Sequence, residues 1–276
     1  LFCRNFRPAS GQHKKEQRKS EKVGRSFPVT EITDPGVARY LSGLCVTGAR
    51  QVASRPAGSD PLNADPCEPA DPIPSPEELL DWLERTAREE GIPIMDRGTL
   101  GLVTACLKMK NPGRILEIGT AIGYSATYLA LRLPQAAITS LEIDPAKAAR
   151  AMAHFADAGV ADRVQCRCGD ALELLPSVRE TYDAIVIDAA KGQYSRYLEL
   201  CLPLLAPGGI LFTDNVLFRG MVAWGDEDIP RECRSLVRRL REYNRMLAEH
   251  PLLDTVFVPV GDGLAISMLR GEARWA

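Results

Sequence analysis

Ile185-Val186-Ile187-Asp188-Ala189-Ala190-Lys191, followed further along by Phe212-Thr213-Asp214-Asn215, is the pair of segments that decides the fold of this chain. Each is a short apolar run that ends on a carboxylate, the mark of a strand buried on both faces of a parallel sheet. Open α/β sheets bind their ligands in the crevice outside the carboxyl ends of their strands. The oxygens of Asp188, Asp214 and Asn215 are therefore expected where chemistry occurs, and two such strand ends suffice for one hard-cation site.

Outward from these runs, short apolar segments alternate with helical ones from Arg114 onward, and strands are expected at 114–118, 137–142, 163–168, 183–188, 209–214, 253–258 and 263–268. The alternation predicts an α/β fold: a doubly wound, mostly parallel seven-stranded sheet with helices on both faces. Only the last two candidates are joined by a brief turn, Gly261-Asp262-Gly263, so the last strand is expected to be antiparallel. Ahead of the sheet, Ser75-Pro76-Glu77-Glu78 reads as a capping box with proline at the first helical position. It opens a helix with Leu79, Leu80 and Leu83 inward that stops near Gly91, and a second helix is expected from about Asp96 to Lys108.

The formal net charge of -2 hides an asymmetry, because residues 1–30 hold eight Lys and Arg against Glu16 and Glu21. The body that remains is acidic, which argues against broad coating of nucleic acid. The chain begins at Leu1 rather than Met, so residues 1–30 are read as a basic disordered tail and a candidate over-called gene start, with the product beginning near Val29. A short helix is expected within 31–45. Residues 46–74, with six prolines and few large apolar groups, read as a linker or insertion ahead of the α/β domain at 75–276. The eight cysteines are scattered without CxxC spacing, and no apolar run approaches the roughly 18 residues that cross a bilayer. A cytoplasmic protein with free thiols and no membrane partner is expected.

Glu117-Ile118-Gly119-Thr120-Ala121-Ile122-Gly123-Tyr124-Ser125 lies between the first strand and a helix, where small residues let backbone N–H groups approach a ligand. The glycines are spaced GxxxG, not the GxGxxG of dinucleotide sites, which counts against an NAD-dependent dehydrogenase. Glu142 ends the second strand, a position suited to ribose hydroxyls. Gly169-Asp170-Ala171 follows the third strand, where Asp170 is read as a helix cap that also pairs with an adenine amino group.

These segments resemble the class I methyltransferases that use S-adenosylmethionine. With Asp188 to Tyr194 and Asp214 to Leu217 added, the chain resembles the metal-dependent O-methyltransferase family that includes catechol and caffeoyl-CoA O-methyltransferases. The likeness spans roughly residues 76–270 and is strongest to the bacterial branch that methylates 5-hydroxyuridine in tRNA, through ILEIGTAIGYS (115–125), IDAAKGQY (187–194), DNVLFRGMV (214–222) and GDGLAIS (261–267). The resemblance implies a Rossmann-like fold, S-adenosylmethionine as cofactor and a homodimer. It places Glu117 and Gly119 at the methionine end of the cofactor, Glu142 at the ribose and Asp170-Ala171 at the adenine. Met95, Tyr124 and Ser125 would line the same pocket, with Asp188 at its edge.

Asp188, Asp214 and Asn215 offer only hard oxygens, which suit Mg²⁺ and, less well, Mn²⁺ or Ca²⁺. Zinc is disfavoured, since none of His13, His154 and His250 is beside the set. Three protein ligands leave room for a substrate with two adjacent oxygens. Lys191, three residues beyond Asp188, is the candidate general base, paired with Asp188 as the catalytic residues. For the acceptor, Arg231, Arg234, Arg238, Arg239, Arg241 and Arg245 suggest phosphates of a tRNA anticodon loop. A small phenol, catechol-like or linked to coenzyme A, is the other acceptor class, and a catalytically silent cofactor-binding protein is the reading outside enzymology.

Overall fold

The computed structural model describes residues 75–270. The expectations for the basic tail, the helix within 31–45 and the linker at 46–74 lie outside the described residues. In chain order the elements are α1 (Pro76–Glu90), α2 (Arg97–Lys110), β1 (Arg114–Ile118), α3 (Tyr124–Arg132), β2 (Ala137–Glu142), α4 (Pro145–Asp157) and β3 (Val164–Cys168). They continue with α5 (Ala171–Leu174), β4 (Tyr182–Ile187), α6 (Tyr194–Cys201), β5 (Leu205–Thr213), α7 (Arg234–Glu249), β6 (Leu253–Val258) and β7 (Leu264–Leu269).

Local chemistry explains the first two helices. The Ser75 hydroxyl accepts from the Glu78 N–H while the Glu78 carboxylate accepts from the Ser75 N–H, the reciprocal capping box the sequence shows. Gly91 ends α1 in the left-handed conformation, and Asp96 caps α2 by accepting from the N–H groups of Gly98 and Thr99. Leu79, Leu80, Leu83 and Ala87 form the buried stripe of α1.

The seven strands form one sheet in the order β3-β2-β1-β4-β5-β7-β6. The first five strands of that order are parallel, and β7 is antiparallel to both of its neighbours. Alternate residues of β1 and β4 face two separate cores. Ile115, Ala184 and Val186 pack with α1 to α4, while Leu116, Ile118, Ile185 and Ile187 pack with α6 and α7. Helices therefore cover both faces, as the apolar runs require.

The expected strands are present with shifted ends. β4 and β5 stop one residue before Asp188 and Asp214, although the N–H of each aspartate still donates across the sheet, to Ile118 and Ile187 carbonyls at 2.9 and 3.0 Å. β5 begins at Leu205, not 209, because Ala206-Pro207-Gly208-Gly209 is taken up by an irregularity opposite Tyr182 and Ala184. The register pairs Ile118 with Ile187 and Ile187 with Thr213, so positions 119, 188 and 214 leave the sheet at one level.

Replacing Ser75 with Ala removes one half of the capping box at an exposed helix end, and a loss of about 1 kcal/mol of stability is expected. Thermal denaturation of the variant checks this, and an unchanged midpoint would show that packing of α1 alone holds its first turn.

Candidate active site

Chain order reverses between β1 and β4, which lie side by side although β2 and β3 lie on one flank and β5 on the other. That switch point opens the crevice in which α/β sheets bind ligands. Gly119 leaves β1 there with φ +100°, and a Cβ on it would stand 2.1 Å from the carbonyl oxygen of Asp188. Only glycine lets the turn pass so close to the end of β4.

Beneath the turn, Glu117 is completely buried. Ser125 donates to one carboxylate oxygen at 2.5 Å, and Ser140 donates to the other. Burial outweighs these hydrogen bonds and pushes the Glu117 carboxyl up to about 7. With both oxygens engaged, Glu117 holds the start of α3 and the second strand together under the turn.

Glu142, at the end of β2, accepts from the Ala121 N–H at 2.7 Å and from the Asp144 N–H at 2.9 Å. It thus ties the turn to β2 and retains lone pairs on both oxygens. Asp170 caps α5 through the Leu172 N–H at 2.8 Å with one oxygen, leaving the second for another donor. Ala171 is buried behind it. Met95 is buried in the core formed with α1 to α4. The Tyr124 hydroxyl points away toward α1, where it donates to Glu84 at 3.4 Å. Burial raises that hydroxyl to about 12, so it stays a donor.

Asp188 and Asp214 bring two carboxylates together beside this turn. Both are held above the usual carboxylate range, chiefly by burial, and Asp214 also by the charge of Asp188. Lys191, half-buried at the start of the turn 191–193, opposes the shift of Asp188. Asn215 adopts φ 57°, a conformation asparagine tolerates, and its N–H and carboxamide N–H both donate to Asp214, at 2.7 and 3.2 Å. The carboxamide oxygen of Asn215 is thereby left for another partner. No group of three His, Cys, Asp or Glu side chains suited to a metal lies among the described residues, so any cation here must accept two carboxylates and an amide. Two desolvated carboxylates and an amide oxygen are hard donors, and a divalent cation would relieve their repulsion; the residues fit Mg²⁺.

Sequence reasoning missed the groups that hold these ligands. Tyr194 donates to the Asp214 carbonyl at 3.0 Å from inside the core, and its ring meets that of Tyr243 edge-on at 5.3 Å. Tyr243 in turn shares a 2.7 Å hydrogen bond with Thr213. The loop after Asn215 is fastened to the β6–β7 turn, with the N–H groups of Val216 and Leu217 donating to Gly263 and Asp262 carbonyls, each at 3.0 Å. Gly263 (φ +88°) permits this, since a Cβ there would lie 2.3 Å from Leu217. The one available signal was the glycine pair itself.

A seven-stranded sheet of this order with its crevice at the β1/β4 switch defines a Rossmann-like methyltransferase. Solved neighbours agree. An O-methyltransferase from Bacillus cereus in complex with SAH matches with 26% identity and a TM-score of 0.62, over 70% of this chain and 90% of that one. TomG from Streptomyces achromogenes in complex with SAM, an O-methyltransferase of tomaymycin synthesis, matches with 29% identity and a TM-score of 0.63 over the same shares. The chain belongs to the O-methyltransferase family, whose model matches residues 76–270. Among characterised relatives, a catechol O-methyltransferase from Niastella koreensis is 35% identical over 181 residues, covering 62% of this chain and 78% of its own length. A caffeoyl-CoA O-methyltransferase from Citrus natsudaidai is 32% identical over 197 residues, covering 67% and 79%.

Glu117 gives a pH prediction. Its proton is bound more tightly in the folded chain than at the ordinary value of 4.5, so its effect on stability is absent below about 4.5 and becomes fully unfavourable above about 7. Glu117→Gln should therefore shrink the fall in stability across that window by something on the order of 3 kcal/mol. Unfolding midpoints measured against pH decide it: parallel curves for variant and wild type would contradict the assignment.

Proposed function

We propose that this chain is a Mg²⁺-dependent O-methyltransferase that transfers the methyl group of S-adenosylmethionine to 5-hydroxyuridine in a tRNA anticodon loop, giving 5-methoxyuridine. The observation that carries the reading is the meeting of Asp188 and Asp214 at level strand ends beside the Gly119 turn, with the Lys191 amine adjacent. The relatives bound to SAM and SAH support the choice of cofactor, which in this chain would lie over the Gly119 turn with Glu142 and Asp170 as acceptors for its ribose and adenine. The Mg²⁺ these residues would hold would supply Lewis acidity that eases loss of the acceptor hydroxyl's proton.

The chain's own residues do the remainder. Asp188, Asp214 and the Asn215 carboxamide would hold the cation, Tyr194 and Tyr243 keep their strand end in place, and Lys191 Nζ, as the neutral amine, takes the acceptor proton and becomes the ammonium. In-line transfer needs the acceptor oxygen held about 3 Å from the methyl carbon, which demands that the cofactor turn and the cation ligands keep a fixed spacing. The contact between Gly119 and Asp188 supplies that rigidity.

A second reading keeps this chemistry and exchanges the acceptor for a catechol-like or caffeoyl-CoA-like phenol. The likeness to relatives that act on such compounds favours it. Either acceptor presents two adjacent oxygens to the cation. The setting we propose is a cytoplasmic homodimer. Cys106, Cys166, Cys168 and Cys201 are free thiols, three of them raised by burial, and no described helix is long and apolar enough to cross a membrane.

Asp214→Ala should lower metal-dependent turnover by about two orders of magnitude or more while changing cofactor affinity only a few-fold. In wild type, Mg²⁺ should raise the unfolding midpoint more above about pH 8 than below about pH 5, because protonated carboxylates do not ligate. Calorimetry with S-adenosylmethionine and thermal shifts with Mg²⁺ test both points, and an active Asp214→Ala enzyme would exclude the site. For the acceptor, nucleosides from tRNA of a deletion strain should lack 5-methoxyuridine by mass spectrometry. Undiminished levels, with turnover of a catechol by the purified enzyme, would favour the phenol.

A further inference from the structure

The loop that follows the Asp214-Asn215 corner folds back over the start of α7 and builds a small core of its own, in which Met221, Ile229, Cys233 and Val237 pack with Phe218. Above it lies a groove of about 480 Å³ lined by four arginines, Arg231, Arg234, Arg238 and Arg241, with Asp226 as its one carboxylate.

The donors of these arginines are unequally engaged. Arg241 is fully committed: it donates to the Val222 carbonyl at 2.9 Å, to Asp226 at 2.6 Å and to the Trp224 carbonyl. It straps the loop to α7 and neutralises Asp226. Arg234 uses only Nε, on the Ile229 carbonyl at 3.0 Å, so both of its terminal nitrogens are open. Arg231 and Arg238 have no hydrogen-bond or ion-pair partner among the described residues. Three guanidinium groups therefore border one void without a carboxylate to balance them. Ser235 adds a hydroxyl to the same wall. α7, sixteen residues long, also begins here, so the positive end of its dipole adds to the field.

Like charges gathered around a cavity repel, and an anion that bridges them removes the repulsion. Planar guanidinium forks match oxyanions with two or more oxygens in one plane, and three forks with a hydroxyl suit a tetrahedral anion better than a single carboxylate. Arg231, Arg234, Ser235 and Arg238 are exposed, so the groove is open enough to take a phosphate that is part of a larger molecule. It is also joined to the candidate active site through a neighbouring side chain. Arg239, next to Arg238 on α7, donates to the Gly192 carbonyl at 3.4 Å in the turn that carries Lys191.

We infer that this groove is a binding site for a phosphate ester, with Arg231, Arg234 and Arg238 as its ligands and Arg241 as the residue that positions the loop. That the phosphate belongs to the methyl acceptor rests on the proposed function; the phosphate site itself does not.

Three probes test it by calorimetry on the full chain: inorganic pyrophosphate, coenzyme A and a short single-stranded RNA. The double variant Arg231→Gln/Arg238→Gln should bind at least one probe about tenfold more weakly than wild type, as expected for two exposed charge pairs. Arg85→Gln, which removes an exposed charge from α1 away from the groove, should bind like wild type, separating a local site from general attraction. If RNA is the ligand, the slope of log K against log salt should fall by about 0.7 for each arginine removed. Preference for coenzyme A would mark a diphosphate tail, and pyrophosphate binding alone would mark a site for free phosphate; each supports the groove. The proposal fails if no probe distinguishes the double variant from Arg85→Gln. Pyrophosphate and coenzyme A carry no methyl acceptor, so their binding tests the groove even if the proposed catalysis is wrong.

Discussion

The site depends on the closeness of two stretches of backbone: the Gly119 turn passes so near the carbonyl of Asp188 that no side chain fits between them. Everything that takes part in the proposed chemistry hangs from one side or the other of that contact. The turn carries the N–H groups and the Glu142 tie on the cofactor side. The Asp188 side carries the paired carboxylates and, through the register of β4 with β5, the Asp214-Asn215 corner. Because neither partner is a flexible side chain, the spacing between donor and acceptor halves is set by the sheet.

Such a contact requires both halves to be braced from behind, and the bracing is unlike on the two sides. Under the turn lies a polar cluster, with Glu117 gripped by Ser125 and Ser140, and Thr120 bonded to Ser140 at 2.5 Å. Behind Asp214 lies an aromatic one, in which Tyr194 and Tyr243 occupy the core and reach out with their hydroxyls to the strand end. Both solutions satisfy every polar group they bury through short-range partners. The first, however, confines a carboxyl that resists ionisation. The second buries only neutral phenols.

The sheet is readable in the sequence because its strands are apolar on both faces and bounded by Gly, Pro and Asp. The start of β5 is not, since Pro207-Gly208-Gly209 has turn chemistry and only pairing with Tyr182 makes it strand. Nor does chain order reveal that β7 inserts between β5 and β6. At the site, the acidic and glycine positions are legible because few residue types do their work at strand ends. The resemblance places Tyr124 among the pocket residues, but nothing in the sequence shows that its hydroxyl donates to Glu84 of α1. Tyr194 and Tyr243 give no local sign, because each acts through a partner remote in sequence.

The small core of Met221, Ile229, Cys233 and Val237 stands apart from the two cores that sandwich the sheet. It is linked to the sheet by the corner at 214–217, by Phe218, which packs against both the small core and that of α6 and α7, and by α7, whose Val237 belongs to the former while Leu240, Tyr243 and Leu247 belong to the latter. A change in the loop at 218–233 would therefore be felt first by this small core and the arginine groove beside it, and would reach the strands through Phe218 and α7.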